Sequence, residues 1–595
     1  MPYYIRENLD FIIETLFVIL IIVGIALGIQ VNYLFFVVTV LGIIFLLVYQ
    51  KIKRNNYVKV KKKAIGELWG KERKCNVKFS EKDNLHQFLS KRENIHFLID
   101  DITWKDLDMD TVFTKIDHTM SLPGMQYLYS ILRRPLFKEN PLNKRYEIID
   151  QLRNNIDISQ EIQYYLSILG KEEGKGIFAY FEEGMNVDTK NSTLYQILSY
   201  IPFLALVLLL INLRMGFTIF ILTFMVNTVV YNSNKRKIYA EIETFKYLGK
   251  LIYCAENIMK LNIGSLGLNQ NSLEDLLENT KKIKRNISKI NFNDELKTEA
   301  QLLIDYYNMI VLREPKVFYK VVKQLNENKE DFLKMYTIIG EIDAYISVSS
   351  YISGLDYFTK PKLRKENCTF YLEVDKIYHP LLEDPVPYTF KFNNKGALIT
   401  GSNASGKSTF LRTIGINSIF AQTLNIVLAK DYTSSYFRLF TSIGTTDSIV
   451  EGDSYFMAEA KALKRIIDSI ASREPILCIL DEIFRGTNTA ERISAASVVL
   501  NYMIDNNSCV IAATHDLELI SLVNNRYENY HFKETIKSKD IIFDYILRKG
   551  PCVSRNAIAI LEYLDYPEEI YEKAVEQAGK YSAIGNKKSH PISEI

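Results

Sequence analysis

Cysteine is scarce in this chain, and its spacing forms no pattern. The six cysteines (Cys75, Cys254, Cys368, Cys478, Cys509 and Cys552) include no C-x-x-C pair. That argues against a disulfide framework or a zinc site and for reduced structural thiols. A charge excess of one sign is also lacking. The net charge of +3 over 595 residues announces no nucleic-acid partner, although a local basic patch is compatible with so small a sum. No internal repeat is present. The length exceeds what one core usually serves, so two or three soluble domains are expected. A hydrophobic content of 48% with a mean hydropathy of −0.04 fits a globular body carrying some membrane-embedded segments.

Those segments are four long apolar runs. The first two span about Phe11–Ile29 and Tyr33–Tyr49, separated only by Gln30-Val31-Asn32. The other two span about Leu194–Leu213 and Met215–Tyr231, with a turn around Arg214. Each approaches the ~20 apolar residues that cross a bilayer as a helix. Glu14, Pro202 and Asn212 interrupt the apolar pattern. A cleaved signal peptide would lead to a cleavage site, not to a second apolar run. Basic flanks follow both pairs: Lys51, Lys53, Arg54, Lys59 and Lys61–Lys63 after the second run, Lys235-Arg236-Lys237 after the fourth. Such flanks stay on the cytosolic side. The sequence therefore predicts two hairpins in the cell membrane, a multi-pass arrangement with all soluble mass in the cytoplasm.

The expected organisation is a membrane hairpin at 1–50, a basic juxtamembrane linker at 51–95, a helical core at 96–192, a second hairpin at 193–232 and resumed helices at 233–365. An ATPase domain at 366–579 and a disordered tail at 580–595 follow. The helical parts carry apolar residues at helical spacing, such as Ile148, Ile149 and Leu152, and few prolines. After Glu366 short apolar runs alternate with helical stretches. Thr369–Val374, Ala397–Thr400, Ile476–Leu480 and Cys509–Ala513 read as strands of an α/β domain.

One motif carries specific chemistry. Gly401-Ser402-Asn403-Ala404-Ser405-Gly406-Lys407-Ser408 fits G-x-x-x-x-G-K-[ST], follows an apolar strand and opens a helix at Thr409-Phe410-Leu411. The glycines let the backbone wrap closely enough for its N–H groups to bond phosphate oxygens, and the helix N-terminus adds partial positive charge. Lys407 is expected on the β- and γ-phosphates of ATP and Ser408 on Mg²⁺. Ile476–Leu480 delivers Asp481-Glu482, a pair suited to holding Mg²⁺ (Asp481) and to activating the attacking water (Glu482). Thr514-His515-Asp516 ends the next strand, where α/β sheets place ligand contacts, and His515 is read as a γ-phosphate sensor.

With those residues in view, the chain resembles the MutS mismatch-repair ATPases. Thr400–Arg412 resembles the family's phosphate loop, His379-Pro380-Leu381-Leu382 its entry to the ATPase domain, and Ala421-Gln422 its glutamine-containing loop. Thr441–Ile449 with Gly452–Glu459 is similar to its signature segment, Asp481–Thr489 to its Asp-Glu…Arg-Gly-Thr-Ser-Thr run, and Ala513-Thr514-His515 to its Ala-Thr-His. Upstream, Ile116-Asp117-His118-Thr119 with Gly124 and Arg134-Pro135-Leu136 resembles the start of the MutS core, and Ile339–Asp343 the second lever helix.

The resemblance implies an α/β P-loop NTPase domain of the ABC/MutS type, preceded by an all-α core and lever domain. It implies a homodimer in which Ser454 contacts the γ-phosphate bound by the opposite subunit. Gly401, Ser402, Asn403, Ala404, Ser405, Gly406, Thr409 and Gln422 are the further nucleotide contacts it suggests. Asn488 stands where the family usually has serine. The mismatch-reading domain is missing from the N-terminal region. Its Phe-x-Glu letters recur at Phe181-Glu182-Glu183 and Phe532-Lys533-Glu534, outside any such context. Two functions stay open. One is a membrane-anchored clamp driven by ATP binding and hydrolysis, acting on DNA in a manner like mismatch repair. The other is an ATPase coupled to membrane remodelling or transport, with lipids and not DNA as partner. The basic runs at Lys51–Lys63 and Lys281–Arg285 suit phosphates of either kind.

Overall fold

The computed structural model describes residues 3–73, 81–171, 176–185, 187, 192–287, 307, 309–365, 370–402, 405–444, 455–470, 474–485, 487–523, 525–537, 540–551 and 566–587. The chain opens with two antiparallel helices, α1 (Tyr3–Gln30) and α2 (Phe36–Glu67). Small residues let them close: a Cβ on Gly24 would lie 2.6 Å from Thr39 Oγ1, and one on Gly42 2.8 Å from the Ile21 side chain. Glu14 pairs with Lys53 at 3.0 Å across the two helices, at the end of the hairpin away from its turn. The carboxylate that interrupts the first apolar run thus has a cationic partner.

The stretch expected as a linker begins as helix. α2 continues without a break through Lys51–Lys63 to Glu67, because that run is rich in lysine and has neither glycine nor proline before Gly66. Thirty-two residues make a rod about 48 Å long.

The helical body follows with α3 (Asn84–Arg92), α4 (Asp101–Asp106), α5 (Met109–Ile116), α6 (Leu122–Leu132), α7 (Glu139–Asn154), α8 (Ile156–Leu169) and α9 (Ile177–Glu183). A second hairpin comprises α10 (Ser192–Ile211), which keeps Pro202 inside it, and α11 (Leu213–Met259). The turn lies at Asn212, two residues before the expected Arg214. Asn212 caps α11 by accepting the Met215 N–H at 3.2 Å, so a residue that breaks the apolar run is the one that ends it. α11 runs on for 47 residues, about 70 Å, from the apolar hairpin into the helical body. Then come α12 (Gln270–Ile287), α13 (Arg313–Glu327) and the central α14 (Lys329–Ser353).

α14 is buried along most of its length and packs on α6 and α7. Its contact with α6 depends on two glycines. A Cβ on Gly124 would meet Asp343 Oδ2 at 2.2 Å, and one on Gly340 would meet the Pro123 carbonyl oxygen at 2.6 Å. Asp343, fully buried, accepts the N–H groups of Met120 (3.1 Å) and Ser121 (2.8 Å) and the Ser121 hydroxyl. Burial pushes its carboxyl up to about 6, although those donors pull the other way. Nearby, buried Asp117 pairs with Lys171 at 2.7 Å, and the His118 N–H donates to Ser347 Oγ at 2.7 Å. The segment Asp117–Ser121 is thereby bound to α14.

Both rods end on this body. α2 lays Lys62 against Glu161 and Lys61 against the Ser167 carbonyl of α8, and α11 packs on the same helix. Beyond α2, the Gly70 N–H donates to Ser350 Oγ at 3.2 Å. A Cβ on Gly354, just past α14, would lie 2.0 Å from the Gly70 oxygen.

The C-terminal region is α/β. In chain order it contains β1 (Lys362–Arg364), β2 (Tyr371–Ile377), β3 (Tyr388–Asn393), β4 (Gly396–Thr400), α15 (Lys407–Thr423), β5 (Asp431–Ser435), β6 (Arg438–Ser442), α16 (Tyr455–Asp468), β7 (Ile476–Asp481), α17 (Thr489–Asp505), β8 (Ser508–Thr514), α18 (Leu519–Leu522), β9 (Tyr527–His531), β10 (Glu534–Lys537), β11 (Asp540–Phe543), β12 (Arg548–Lys549) and α19 (Glu568–Lys587). The main sheet has the order β12-β9-β4-β8-β7-β6, parallel except for β12; a smaller sheet has the order β1-β5-β2-β3. Central strands β4 and β8 are buried at every residue, as their unbroken apolar runs require. The helical body docks on edge strand β6. Buried Asp106 accepts the Thr441 hydroxyl at 2.7 Å and the Ile443 N–H at 2.9 Å, and Arg465 reaches Asp100 at 2.7 Å. Helix α19 extends through residues 580–587, part of the stretch expected to be disordered. Its acidic first turn and Ala-, Lys- and Glu-rich sequence favour helix. Residues 588–595 lie outside the described residues.

The described cysteines Cys254, Cys478 and Cys509 are free and buried.

His118 carries a pH prediction. Burial, then the Arg73 charge, lowers its pKa from 6.5 to about 4. The unfolded ring takes up a proton as pH falls below 6.5, and the folded ring resists until about 4. Stability present above pH 6.5 is therefore lost on acidification across that window, by up to about 3 kcal/mol from this residue. In denaturant titrations of the full chain in detergent, His118→Gln should flatten the fall of the unfolding midpoint between pH 6.5 and 4.5. An unchanged slope would contradict this assignment.

Candidate functional site

The register of the main sheet assembles the site. Thr400 of β4 stands opposite Thr514 of β8, and Asp481 of β7 opposite Ala513. The residues that follow, Gly401, Glu482 and His515, therefore emerge together at the carboxyl edge, where parallel α/β sheets gather ligand contacts.

The loop after β4 turns through two glycines in the left-handed region, Gly401 (φ 143°) and Gly406 (φ 100°). A side chain at Gly401 would meet Ser405 Oγ at 2.9 Å and the Phe532 oxygen at 3.0 Å. Lys407, the first residue of α15, is 1% exposed. Its ammonium donates to the Gly401 and Ser402 carbonyls at 2.6 and 2.8 Å and lies 3.3 Å from His515 Nε2. Ser405 Oγ donates to the Ser402 carbonyl at 2.7 Å. Ser408 Oγ donates to Asp481 Oδ2 at 2.5 Å, which places a hydroxyl and a carboxylate side by side. Thr409 follows in the first turn of α15.

Glu482 leaves β7 in the left-handed region (φ 54°), and so does Phe484 (φ 61°). Neither is glycine, so this turn is held by its surroundings. Glu482 Oε1 lies 2.6 Å from His515 Nε2, and Oε2 pairs with Arg485. Burial, then the charges of Lys407 and Arg485, holds the His515 pKa below its usual value, so the ring is neutral near pH 7. Next to His515, Asp516 takes a two-pronged contact from Arg492 at 2.9 and 2.7 Å.

The structure thus brings together Gly401, Ser402, Ser405, Gly406, Lys407, Ser408, Asp481, Glu482 and His515. Asn403, Ala404 and Ser454 lie outside the described residues. Gln422 requires a correction. It sits in α15 fifteen residues after Lys407, about 22 Å along the axis. It is buried, its Oε1 accepts the Phe437 N–H at 2.8 Å, and its carbonyl accepts the Leu136 N–H. It braces the domain interior and does not join the loop. Both Phe-x-Glu triplets are also structural. Phe181 packs on Phe178 and Tyr336, and Phe532 on Tyr388 and Phe410.

Residues 397–581 match the family model for MutS domain V. The DNA mismatch repair protein MutS of Oceanobacillus iheyensis is 28% identical over 314 residues, 51% of this chain and 35% of that protein. That of Staphylococcus aureus strain RF122 is 29% identical over 308 residues, 50% of this chain and 35% of that protein. Over the matched region the chain is similar to MutS proteins, and its residues 397–581 carry the MutS domain V pattern. Its match spans about a third of the length of these relatives.

Within the matched region, three contacts of the site come from residues to which the motifs gave no role. Glu534 accepts the Ser402 hydroxyl, the Tyr545 ring lies against Gly406, and Arg485 occupies one oxygen of Glu482. Glu534 and Tyr545 lie more than a hundred residues beyond the loop; Glu534 stood out only as the last letter of a Phe-x-Glu triplet, and its place beside Ser402 comes from the fold. Arg485 was visible inside the Asp481–Thr489 run.

Gly406 offers a direct test of the loop. A Cβ there would lie 3.0 Å from Tyr545 Cδ1 on a backbone L-residues rarely adopt. Gly406→Ala should weaken Mg·ATP binding by roughly tenfold or more, about the 1–3 kcal/mol of a strained backbone position. Calorimetric titration checks it, and unchanged affinity would show that the loop does not carry the nucleotide.

Proposed function

We propose that this MutS-like chain is a membrane-anchored ATPase whose two copies bind Mg·ATP and whose hydrolysis cycle opens and closes a cytosolic clamp on DNA. The observation that carries the hydrolytic part is the convergence of Lys407, Ser408, Asp481, Glu482 and His515 at one sheet edge.

The residues fit Mg·ATP. The loop is closed around a buried lysine ammonium, which its own carbonyls hold in place. Ser408 and Asp481 form a pair of hard oxygen donors, the kind Mg²⁺ takes. Bound Mg²⁺ would neutralise charge on the β- and γ-phosphate oxygens. In this reading the loop N–H groups and Lys407 orient the phosphates. Glu482 accepts the proton of the attacking water, and neutral His515 keeps the carboxylate aimed by donating from Nε2. Arg485 now occupies the second oxygen of Glu482, so it must move aside or leave that oxygen room for the water. Ser454, carried over from the family, would meet the γ-phosphate held by the second copy. Residues 366–579 would form the ATPase unit, and 96–192 with 233–365 the helical core and levers.

The membrane part rests on four helices long and apolar enough to cross a bilayer, at Ile13–Gln30, Tyr33–Glu67, Thr193–Ile211 and Leu213–Ser233. At most 22% of the residues in any of these windows are buried by the protein itself. Such apolar surface calls for lipid. α2 and α11 then run directly from the bilayer onto α8, so lever motion and hairpin geometry are linked mechanically. DNA as partner rests on the two relatives, each named a DNA mismatch repair protein.

Glu482→Gln tests the hydrolytic reading. The full chain in lipid nanodiscs should bind ATP with near-native affinity while turnover falls by roughly 10²-fold or more. Wild-type turnover in this variant would overturn the role of Glu482. The same preparation, titrated with homoduplex, mismatched and branched DNA at several salt concentrations, tests the clamp. Nucleotide-dependent, salt-sensitive binding is expected. Robust ATPase that responds to lipid composition and ignores DNA would replace the clamp with a membrane-remodelling or transport role.

A further inference from the structure

The turn that presents Glu482 needs support from outside itself. Two of its residues, Glu482 and Phe484, hold positive φ without being glycine, and such positions persist only where the surroundings enforce them. Arg485 and His515 cannot supply the enforcement alone, because both touch only the Glu482 side chain end. The backbone of the turn is gripped by α16. Glu459, on the second turn of that helix, is 5% exposed. Its carboxylate faces the backbone N–H groups of Phe484 and Arg485, which favour its charged form, while Oε2 has no hydrogen-bond partner. One turn earlier on the same helix, Phe456 lays its ring against Phe484 at 5.6 Å.

A buried carboxylate is an expensive way to fill space. Burial pushes the Glu459 pKa up, and the two amides and the Arg485 charge only partly offset it. The chemistry it supplies is specific. Two successive N–H groups at a left-handed turn form a small concave donor site that suits one anionic oxygen. Filling that site fixes the φ/ψ of Phe484 and with it the direction in which Glu482 leaves the strand.

We propose that Glu459 is a positioning residue for hydrolysis: it locks the Asp481–Arg485 turn to α16 and so sets the aim of Glu482. The inference rests on the reading of Glu482 as the group that activates water. It also assigns α16 a task. Because the lock joins that helix to the turn, a displacement of α16 moves Glu482 without touching the phosphate loop. Nucleotide binding and hydrolysis are thereby separable.

The test uses the full chain in nanodiscs, with steady-state ATP hydrolysis and ADP affinity measured for wild type, Glu459→Ala and Glu459→Gln. For Glu459→Ala, kcat should fall by roughly 10- to 100-fold, the scale of a misplaced catalytic group, while KM for ATP and the ADP affinity stay within about threefold. Glu459→Gln should recover most of that loss, since an amide oxygen still accepts both N–H groups. Wild-type kcat in Glu459→Ala, or an equal fall in kcat and ADP affinity in both variants, would overturn the proposal. If Glu459→Ala does not fold, hydrogen exchange in the wild type decides. Protected Phe484 and Arg485 amides are expected, and exchange at the rate of open loops would overturn it. Glu482→Gln measured alongside separates the two ideas. Undiminished turnover there removes the underlying reading, whereas an inactive Glu482→Gln beside a fully active Glu459→Ala removes only the lock.

Discussion

Three stretches of chain separated by some eighty and thirty residues meet because β4, β7 and β8 run parallel in one register. At the carboxyl edge of the sheet Thr400 stands opposite Thr514, and Asp481 opposite Ala513. Parallel pairing permits no other outcome: a shift of one strand by one residue would turn its side chains to the opposite face and carry Lys407, Asp481 or His515 out of reach. The strands can hold that register because they are buried and apolar throughout, Ile476–Leu480 and Cys509–Ala513 above all. The polar groups they deliver stand just beyond the last apolar residue. The core thus fixes the chemistry by fixing where each strand stops.

Around this edge the helical body acts as a frame. Asp106 ties α4 to β6, Arg465 ties α16 back to Asp100, and α14 is held to Asp117–Ser121 by Asp343 and the glycines Gly124 and Gly340. Both rods from the apolar hairpins converge on α8, and the chain after α2 presses Gly70 on Gly354 where α14 gives way to the C-terminal region. A force on either rod therefore meets packed helices before it meets a loop. Packed cores shift between discrete arrangements and do not deform smoothly. In the proposed cycle, this is the route by which motion would pass between hairpins and sheet edge.

The central elements were legible because each has a short-range signal. The glycine-lysine-serine loop, the apolar strands and the four long apolar runs all declare themselves within about twenty residues. Lys407, Ser408, Asp481, Glu482 and His515 could be named before any coordinates. Boundaries set by helix propensity were harder to read. Lys51–Lys63 looked like a charged linker because charge is a poor stop signal, while lysine is a good helix former. Asn212 looked like a flaw in an apolar span until its capping contact appeared. Gln422 was assigned by likeness of letters, and the length of α15 carries it away from the loop. Glu459 and Glu534 stood inside segments noted for other reasons, Gly452–Glu459 and the Phe532–Glu534 triplet, and Tyr545 in none; what each of them touches is set by the fold and not by local spacing.

The proposed cycle requires that this sheet edge holds a nucleotide. Calorimetric titration of Mg·ATP into the full chain in detergent, beside Lys407→Ala, addresses that directly. One nucleotide per chain is predicted for the native protein, with binding lost in Lys407→Ala and weakened when Mg²⁺ is chelated. Native-like binding in Lys407→Ala, or no binding to the native chain, would contradict it.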